Sequence, residues 1–186
     1  MNRPAYRIDE TKAFLPVGIA VLTVSDTRTS ETDKSGDTLA ARIEEAGHRL
    51  IARAIVRDEI EAIRAQALAW TSDPAIDVVI TTGGTGFTGR DVTVDALLPL
   101  FEKVMDGFSA IFHRVSFDKI GVTTIQSRAT AGTINATFVF ALPGSPGACK
   151  DGWDEILKPQ LDYRHLPSNL VDLMPRLNEH RAKSGE

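Results

Sequence analysis

The sequence predicts a single three-layer α/β/α domain with a mostly parallel central sheet, and three observations carry that prediction. The runs "VGIAVLTV", Val17 to Val24, and "IDVVITT", Ile76 to Thr82, are continuously apolar and rich in β-branched residues, as strands covered on both faces are. The stretches between strands show helical spacing and are long enough to cross over between parallel neighbours. With 186 residues, 42% hydrophobic and 25% charged, the chain holds apolar material for one sizeable core rather than two.

The elements follow in order. Residues 1–16 form an N-terminal arm bracketed by Pro4 and Pro16, residues 17–165 the domain, and residues 166–186 a C-terminal tail. The first strand runs into the polar loop "SDTRTSETDKSGD", and "TLAARIEEAGH" has helical spacing with Gly47 as its stop. "RLIARAIV" is a second strand. In "RDEIEAIRAQALAWTS", Ile60, Ile63, Ala67 and Trp70 share one helical stripe and Asp58 is the candidate N-cap. The third strand ends in a glycine loop, after which the chain reads as helical from about Thr93 to about His113, with a break near Asp106 and Gly107. "ATFVFALPGSPGACKDGWDEIL" is again strand, turn and helix, and from Lys158 onward Pro159, Pro167 and Pro175 break up any long helix.

Charge and cysteine content narrow the function classes. A net charge of −4 argues against a nucleic-acid footprint over the whole surface, so any anion site is local. The single cysteine, Cys149, excludes an intrachain disulfide framework and a cysteine-based zinc cluster, and reads as a small buried side chain. The polar start of the chain and the lack of a membrane-length apolar run predict a cytoplasmic protein without a membrane partner.

Ligands of such sheets gather outside the carboxyl ends of the strands. That edge collects "SDT", "RDE", "GGTG" and "PGSPG". Gly84, Gly86 and Gly89 spell the dinucleotide fingerprint, but they follow the third strand and no acid stands about 20 residues on at a next strand's end. The triphosphatase phosphate loop needs a lysine that is absent here. Backbone amides of Gly83, Gly84 and Gly86, with Thr82 and Thr85, nevertheless suit an anion. Asp91 either caps the following helix, a role Thr93 fills equally well, or holds a divalent cation beside the phosphate, with Arg90 as the other charge-balancing group. Asp58 presents the same choice. Two carboxylates converging on a phosphate loop suit magnesium-assisted nucleotidyl transfer. Ser127 and Arg128 in "QSRATAG" offer donors to a carboxylate or phosphate, or form an ordinary loop, and Ser145 is either a ligand contact or an N-cap. His48, His113, His165 and His180 have no metal-ligand spacing, and Trp70 and Trp153 read as core or interface residues.

Taken in order, "VLTVSDTR", "DKSG", "EAGH", "TTGGTG", "RDVT", "LPLFEK", "GF", "QSRATAG" and "LPGSPGA" resemble the molybdenum cofactor biosynthesis proteins of the MoaB/Mog type, or molybdopterin-binding domains, over about residues 17–165. "LKPQLDYR" looks more like the B-type branch, while "GGTGFTGRDVT" keeps the arginine–aspartate pair of adenylylating members. The resemblance implies a trimer or a pair of trimers. It also implies transfer of AMP from magnesium-ATP to the terminal phosphate of molybdopterin, with a partner protein inserting molybdenum afterwards. By the same resemblance, Asp58 and Asp91 match the carboxylates tied to catalysis and the Mg2+ ion. Gly83, Gly84, Thr85 and Gly86 match the phosphate cradle, Ser127, Gly144 and Ser145 match the pterin side, and Ser25 and Asp26 the loop after the first strand; Arg90, Thr93 and Arg128 complete the candidate substrate- and nucleotide-binding set. Val94 and Asp95 depart from the proline and glutamate of some relatives. The alternatives are a molybdopterin carrier that does not turn over ATP, and an unrelated nucleotide-binding module.

Overall fold

A computed structural model describes residues 7–179; residues 1–6 of the arm and residues 180–186 of the tail, including His180, lie outside the described residues. The chain forms strands β1 (Arg7–Ile8) and β2 (Gly18–Val24), helix α1 (Lys34–Glu45), β3 (Arg49–Val56), α2 (Ile60–Thr71), β4 (Val78–Thr82), α3 (Thr93–Leu97), β5 (Lys103–Val104) and α4 (Asp106–Ile120). It continues with β6 (Thr130–Ile134), β7 (Thr137–Leu142), α5 (Pro146–Gly152), α6 (Lys158–Gln160) and β8 (His165–Leu166).

Six strands make the central sheet in the order β3-β2-β4-β7-β6-β5. The first four are parallel, and β6 and β5 extend the sheet antiparallel. All residues of β2, β4 and β7 are buried, which is why their sequences run apolar without alternation. One apolar layer joins Ile19, Val21, Ile80 and Phe140 to Leu39 and Ile43 of α1, Phe108 and Phe112 of α4, and Trp153. The other joins Leu22, Val79 and Ala141 to Ile63 and Ala67 of α2 and Leu97 of α3. The sheet is thus covered on both faces, as the three-layer reading requires.

Chain order and spatial order diverge between β2 and β4. From β2 the chain moves outward to β3, then crosses back to place β4 on the other side of β2. Loops leaving neighbouring strands part at such a switch point and open a crevice at the carboxyl edge.

The differences from the sequence reading have local causes. Helix α1 begins at Lys34 because buried Asp33 caps it, accepting the Gly36 amide at 2.9 Å. The expected long helix after the glycine loop stops at Leu97: Pro99 follows in a 3-10 turn, Lys103–Val104 pairs with β6, and Asp106 starts a new helix. "QSRATAG" is part loop and part strand, because Thr130 to Ile134 pair with β7 through a tight turn at Asn135 and Ala136, both at positive φ. Asp58 is not the cap of α2; Glu59 occupies that position with no side-chain cap bond. Pro159 does not break the helical run, because a π-turn at Trp153–Leu157 precedes it and places it in the first turn of α6. The tail lies along the domain, with Val171, Leu170, Met174 and Leu177 against the core and β8 paired to β1.

Candidate functional site

The rim at the carboxyl ends of β2, β3, β4 and β7 is packed around two glycines that no other residue replaces easily. Gly83 and Gly84 have φ of +103° and +64°, a region that side chains with a Cβ avoid. A Cβ on Gly83 would sit 2.2 Å from the Val24 carbonyl oxygen, and one on Gly144 would sit 3.0 Å from Gly83 Cα. The loops after β2, β4 and β7 therefore meet backbone to backbone. Among the described residues, no backbone carbonyl outside the helices and strands accepts from the amides of Gly84 or Thr85.

Both expected carboxylates lie against this loop. A Cβ on Gly84 would be 3.1 Å from Asp58 Oδ1, and one on Gly86 would be 2.7 Å from Asp91 Oδ2. Asp58 leaves β3 and Asp91 leaves the glycine loop, so their approach is a product of the fold. Burial raises the Asp58 carboxyl above its ordinary pKa, and the negative charge of Asp26 adds to that rise. Burial also pushes Asp91 upward, but the Thr88 hydroxyl and amide that donate to Oδ2, at 2.6 and 2.9 Å, hold it below the ordinary value. Asp91 thus closes its own loop rather than capping α3, whose N-cap is Val92.

The remaining expected residues gather at the same rim in distinct roles. Arg90 grips Asp26 through both carboxylate oxygens, at 2.8 to 3.0 Å. That contact holds Asp26 below its ordinary pKa. Thr93 is fully buried and donates from its hydroxyl to the Gly83 carbonyl at 2.8 Å. Arg128 donates from Nε to the Gly86 carbonyl at 2.8 Å and from Nη2 to the Asp91 carbonyl, and pairs with both oxygens of Asp95. Its backbone amide donates to the Thr85 carbonyl at 2.8 Å. Ser25, Ser127 and Ser145 each accept local backbone amides, Ser145 as the N-cap of α5. Each keeps its own O–H proton to donate.

Sequence reasoning passed over the residues that hold these loops from behind. Asp33, 1% exposed, accepts the Thr23 hydroxyl at 2.6 Å and pairs with Arg53 and Arg28. Arg28 then reaches the Gly144 carbonyl, which also accepts the Ser35 hydroxyl at 3.2 Å. Thr82, expected to face an anion, is instead fully buried: its hydroxyl donates to the Pro143 carbonyl at 3.0 Å and touches Cys149 Sγ, whose thiol burial pushes up to about 11. His113 of α4 donates from Nε2 to the Ser127 carbonyl at 2.9 Å. The signal for Arg28 and Asp33 lay in the "SDTR" and "DKSG" motifs; His113 gave none.

Among the described residues there is no group of three or more His, Cys, Asp or Glu side chains able to enclose a metal. Magnesium commonly takes one or two protein carboxylates and completes its shell with phosphate and water. Asp58 and Asp91, which lie against the glycine loop, are the two carboxylates that could hold such an ion. Among the described residues, no helix is long and apolar enough to cross a membrane.

Comparison with known proteins agrees with the fold and the motifs. A family profile described as a probable molybdopterin binding domain matches residues 20–163. The molybdenum cofactor biosynthesis protein B of Escherichia coli K12 is 48% identical over 156 residues, 84% of this chain and 92% of the relative. That of Bacillus subtilis strain 168 is 49% identical over 159 residues, 84% of this chain and 94% of the relative. A crystal structure of a molybdenum cofactor biosynthesis protein B, 38% identical, superposes with a TM-score of 0.81 over 90% of this chain and 99% of the other. The tungsten cofactor synthesizing protein MoaB of Pyrococcus furiosus, 36% identical, gives a TM-score of 0.67 over 76% of this chain and 91% of the other. With its switch-point rim, glycine loop and flanking carboxylates set on this shared fold, the chain belongs to the molybdenum cofactor biosynthesis protein B family of molybdopterin-binding domains.

Proposed function

We propose that the rim binds molybdopterin and magnesium-ATP and transfers AMP to the terminal phosphate of the pterin, releasing pyrophosphate. The observation that carries this reading is the approach of Asp58 and Asp91 to one glycine loop at the switch point of the sheet. A terminal phosphate oxygen of molybdopterin attacks the α-phosphorus of ATP in line, a new P–O–P bond forms, and the bond to the β-phosphate breaks with its electrons leaving on pyrophosphate. Gly84 and Thr85 orient the polyphosphate through their amides, and the hydroxyls of Ser127 and Ser145 donate on the pterin side. Asp58 and Asp91 hold the magnesium ion. Magnesium supplies charge compensation to the transferring phosphate.

The family resemblance and the exposed apolar side chains Phe117, Ile120, Val122 and Ile125 at the end of α4 and just beyond it support assembly into a trimer or a pair of trimers, which gel filtration measures. Adenylylated molybdopterin then passes to a partner that inserts molybdenum.

The reaction is tested by incubating the purified protein with molybdopterin, ATP and magnesium and measuring pyrophosphate. Release that depends on all three components is the expected result. Tight pterin binding without ATP consumption would replace the enzyme with a molybdopterin carrier, and ATP binding without pterin binding would sink both.

A further inference from the structure

Arg90 and Asp26 join the two loops that part at the switch point. Arg90 belongs to the glycine loop and Asp26 to the loop after β2, and the guanidinium contacts both carboxylate oxygens. Asp26 Oδ1 also accepts the Asp58 amide at 3.3 Å. The side chains of Arg90 and Asp26 are 61% and 37% exposed, so solvent and ligands reach both. Around them stand Asp58, Asp91, Arg57 and Glu59, whose charges act on one or other member of the cluster.

In the free protein each charge of this pair is spent on the other. A polyphosphate arriving alone draws Arg90 away and leaves Asp26 and Asp58 facing an added negative charge. A divalent cation arriving alone draws on the carboxylates and leaves Arg90 beside an added positive charge. Either ion by itself therefore breaks the pair and gains one partner at the loss of another. When both arrive together, the anion takes Arg90 and the cation takes Asp26, and every charge regains a partner.

We propose that the Asp26–Arg90 pair is a charge-exchange latch that makes this rim select a metal–polyphosphate complex over either ion alone. This rests on the reading of the rim as a magnesium-nucleotide site and adds the reason the two components enter as one. Arg90 passes from Asp26 to a phosphate, and the freed Asp26 carboxylate faces the cation that accompanies it. The competing reading is a structural tie between loops, which has no preference between ligands.

The two readings separate in a double-mutant cycle on the full chain, with binding measured by calorimetry. The variants are Asp26→Asn, Arg90→Gln and the double substitution, with melting temperature as the check on folding. The probes are inorganic triphosphate in metal-free buffer, magnesium alone, and the two together. The latch requires Asp26→Asn to tighten triphosphate binding about three-fold where Arg90 is present, beyond any gain in the Arg90→Gln background, the scale expected for an exposed ion pair. Arg90→Gln must likewise tighten magnesium binding only where Asp26 is present. Equal gains in both backgrounds would mean that the charges act simply through their fields, and would overturn the latch while leaving the site intact. Failure of the wild-type protein to bind magnesium-triphosphate at all overturns the latch and the proposed reaction together.

Discussion

Arg128 holds the main-chain carbonyl of Asp91 with the same guanidinium that holds the carbonyl of Gly86. The two carbonyls bracket the loop tip, so a single side chain fixes both ends of the segment that carries the candidate cation-binding carboxylate. Asp95 orients the guanidinium by accepting from both Nη atoms, at 3.1 and 3.0 Å. A planar fork with donors on three nitrogens meets this geometry, and a lysine ammonium does not. Arg128→Lys is therefore expected to behave like Arg128→Ala. Each costs about 2 kcal/mol for the lost charge-assisted bonds, roughly 5 °C in Tm for a chain of this length. Hydrogen exchange at residues 84–91 accelerates in both variants, whereas exchange in β2 does not change. Normal protection of the loop in Arg128→Ala would show that the loop holds itself.

A second clamp acts from the opposite side. Asp33 is buried, accepts the Thr23 hydroxyl and the Gly36 amide, and pairs with the partly exposed Arg28 and Arg53; Arg28 carries its influence to the Gly144 carbonyl. Removing Asp33 takes away the N-cap of α1 and leaves the buried Thr23 hydroxyl without its acceptor, while Arg53 keeps Asp37, which together costs about 2–3 kcal/mol. Asp33→Ala is expected to lose that much stability in urea unfolding. Thr23→Val removes one hydroxyl and leaves the charges paired, so it is expected to cost about 1 kcal/mol. Similar losses in the two variants would show that the cap and the ionic contacts contribute little.

Much of this architecture is legible in the sequence, and the parts that are not share a physical reason. Strands β2 and β4 announce themselves because burial on both faces removes polar residues from every position. The antiparallel edge does not. Lys103–Val104 is only two residues long and both are exposed, and β6 reads "TAGTI", whose small residues are buried by what covers them. The rim loops were readable because strand ends fall where the apolar runs stop, and "SDT", "RDE", "GGTG" and "PGSPG" follow those ends. The clamps were not, since Arg28 and Arg128 bond to backbone carbonyls 116 and 37 residues away, and a carbonyl has no sequence signature. Asp95 has its role in the structure as the partner of Arg128.

His48 gives the fold a pH dependence of known sign. It is 6% exposed, accepts the Val17 amide on Nδ1 at 3.3 Å, and burial lowers its pKa from 6.5 to about 4. In the folded chain the ring stays neutral, while in the unfolded chain it gains a proton below pH 6.5. Stability from this group is present above pH 6.5 and is lost as pH falls from there to about 4, by about 3 kcal/mol at most. His48→Asn keeps an acceptor for the Val17 amide and removes the titration. Its unfolding free energy is expected to vary less than wild type between pH 6.5 and 4. Parallel curves for the two proteins would assign the acid sensitivity to other groups.

Asp58 predicts a divergence between stability and activity. Its carboxyl is raised by burial and by Asp26, so the folded chain favours the protonated form more than the unfolded chain does. The stability that Asp58 contributes therefore falls as pH rises through its folded-state pKa, and at neutral pH the ionised group strains the fold. Cation binding needs that ionised form. Asp58→Asn is accordingly expected to melt no lower than wild type at pH 7, and to lose roughly a hundred-fold or more of magnesium-dependent pyrophosphate release. In the wild-type protein, magnesium affinity is expected to decline on acidification through a pKa above that of an ordinary aspartate, because Asp91, held low by Thr88, stays ionised further into acid than Asp58. Asp58→Asn removes that decline from the magnesium titration. A variant that melts well below wild type, or that keeps the acid-side loss of magnesium affinity, would show that Asp58 serves the fold and that another group binds the cation.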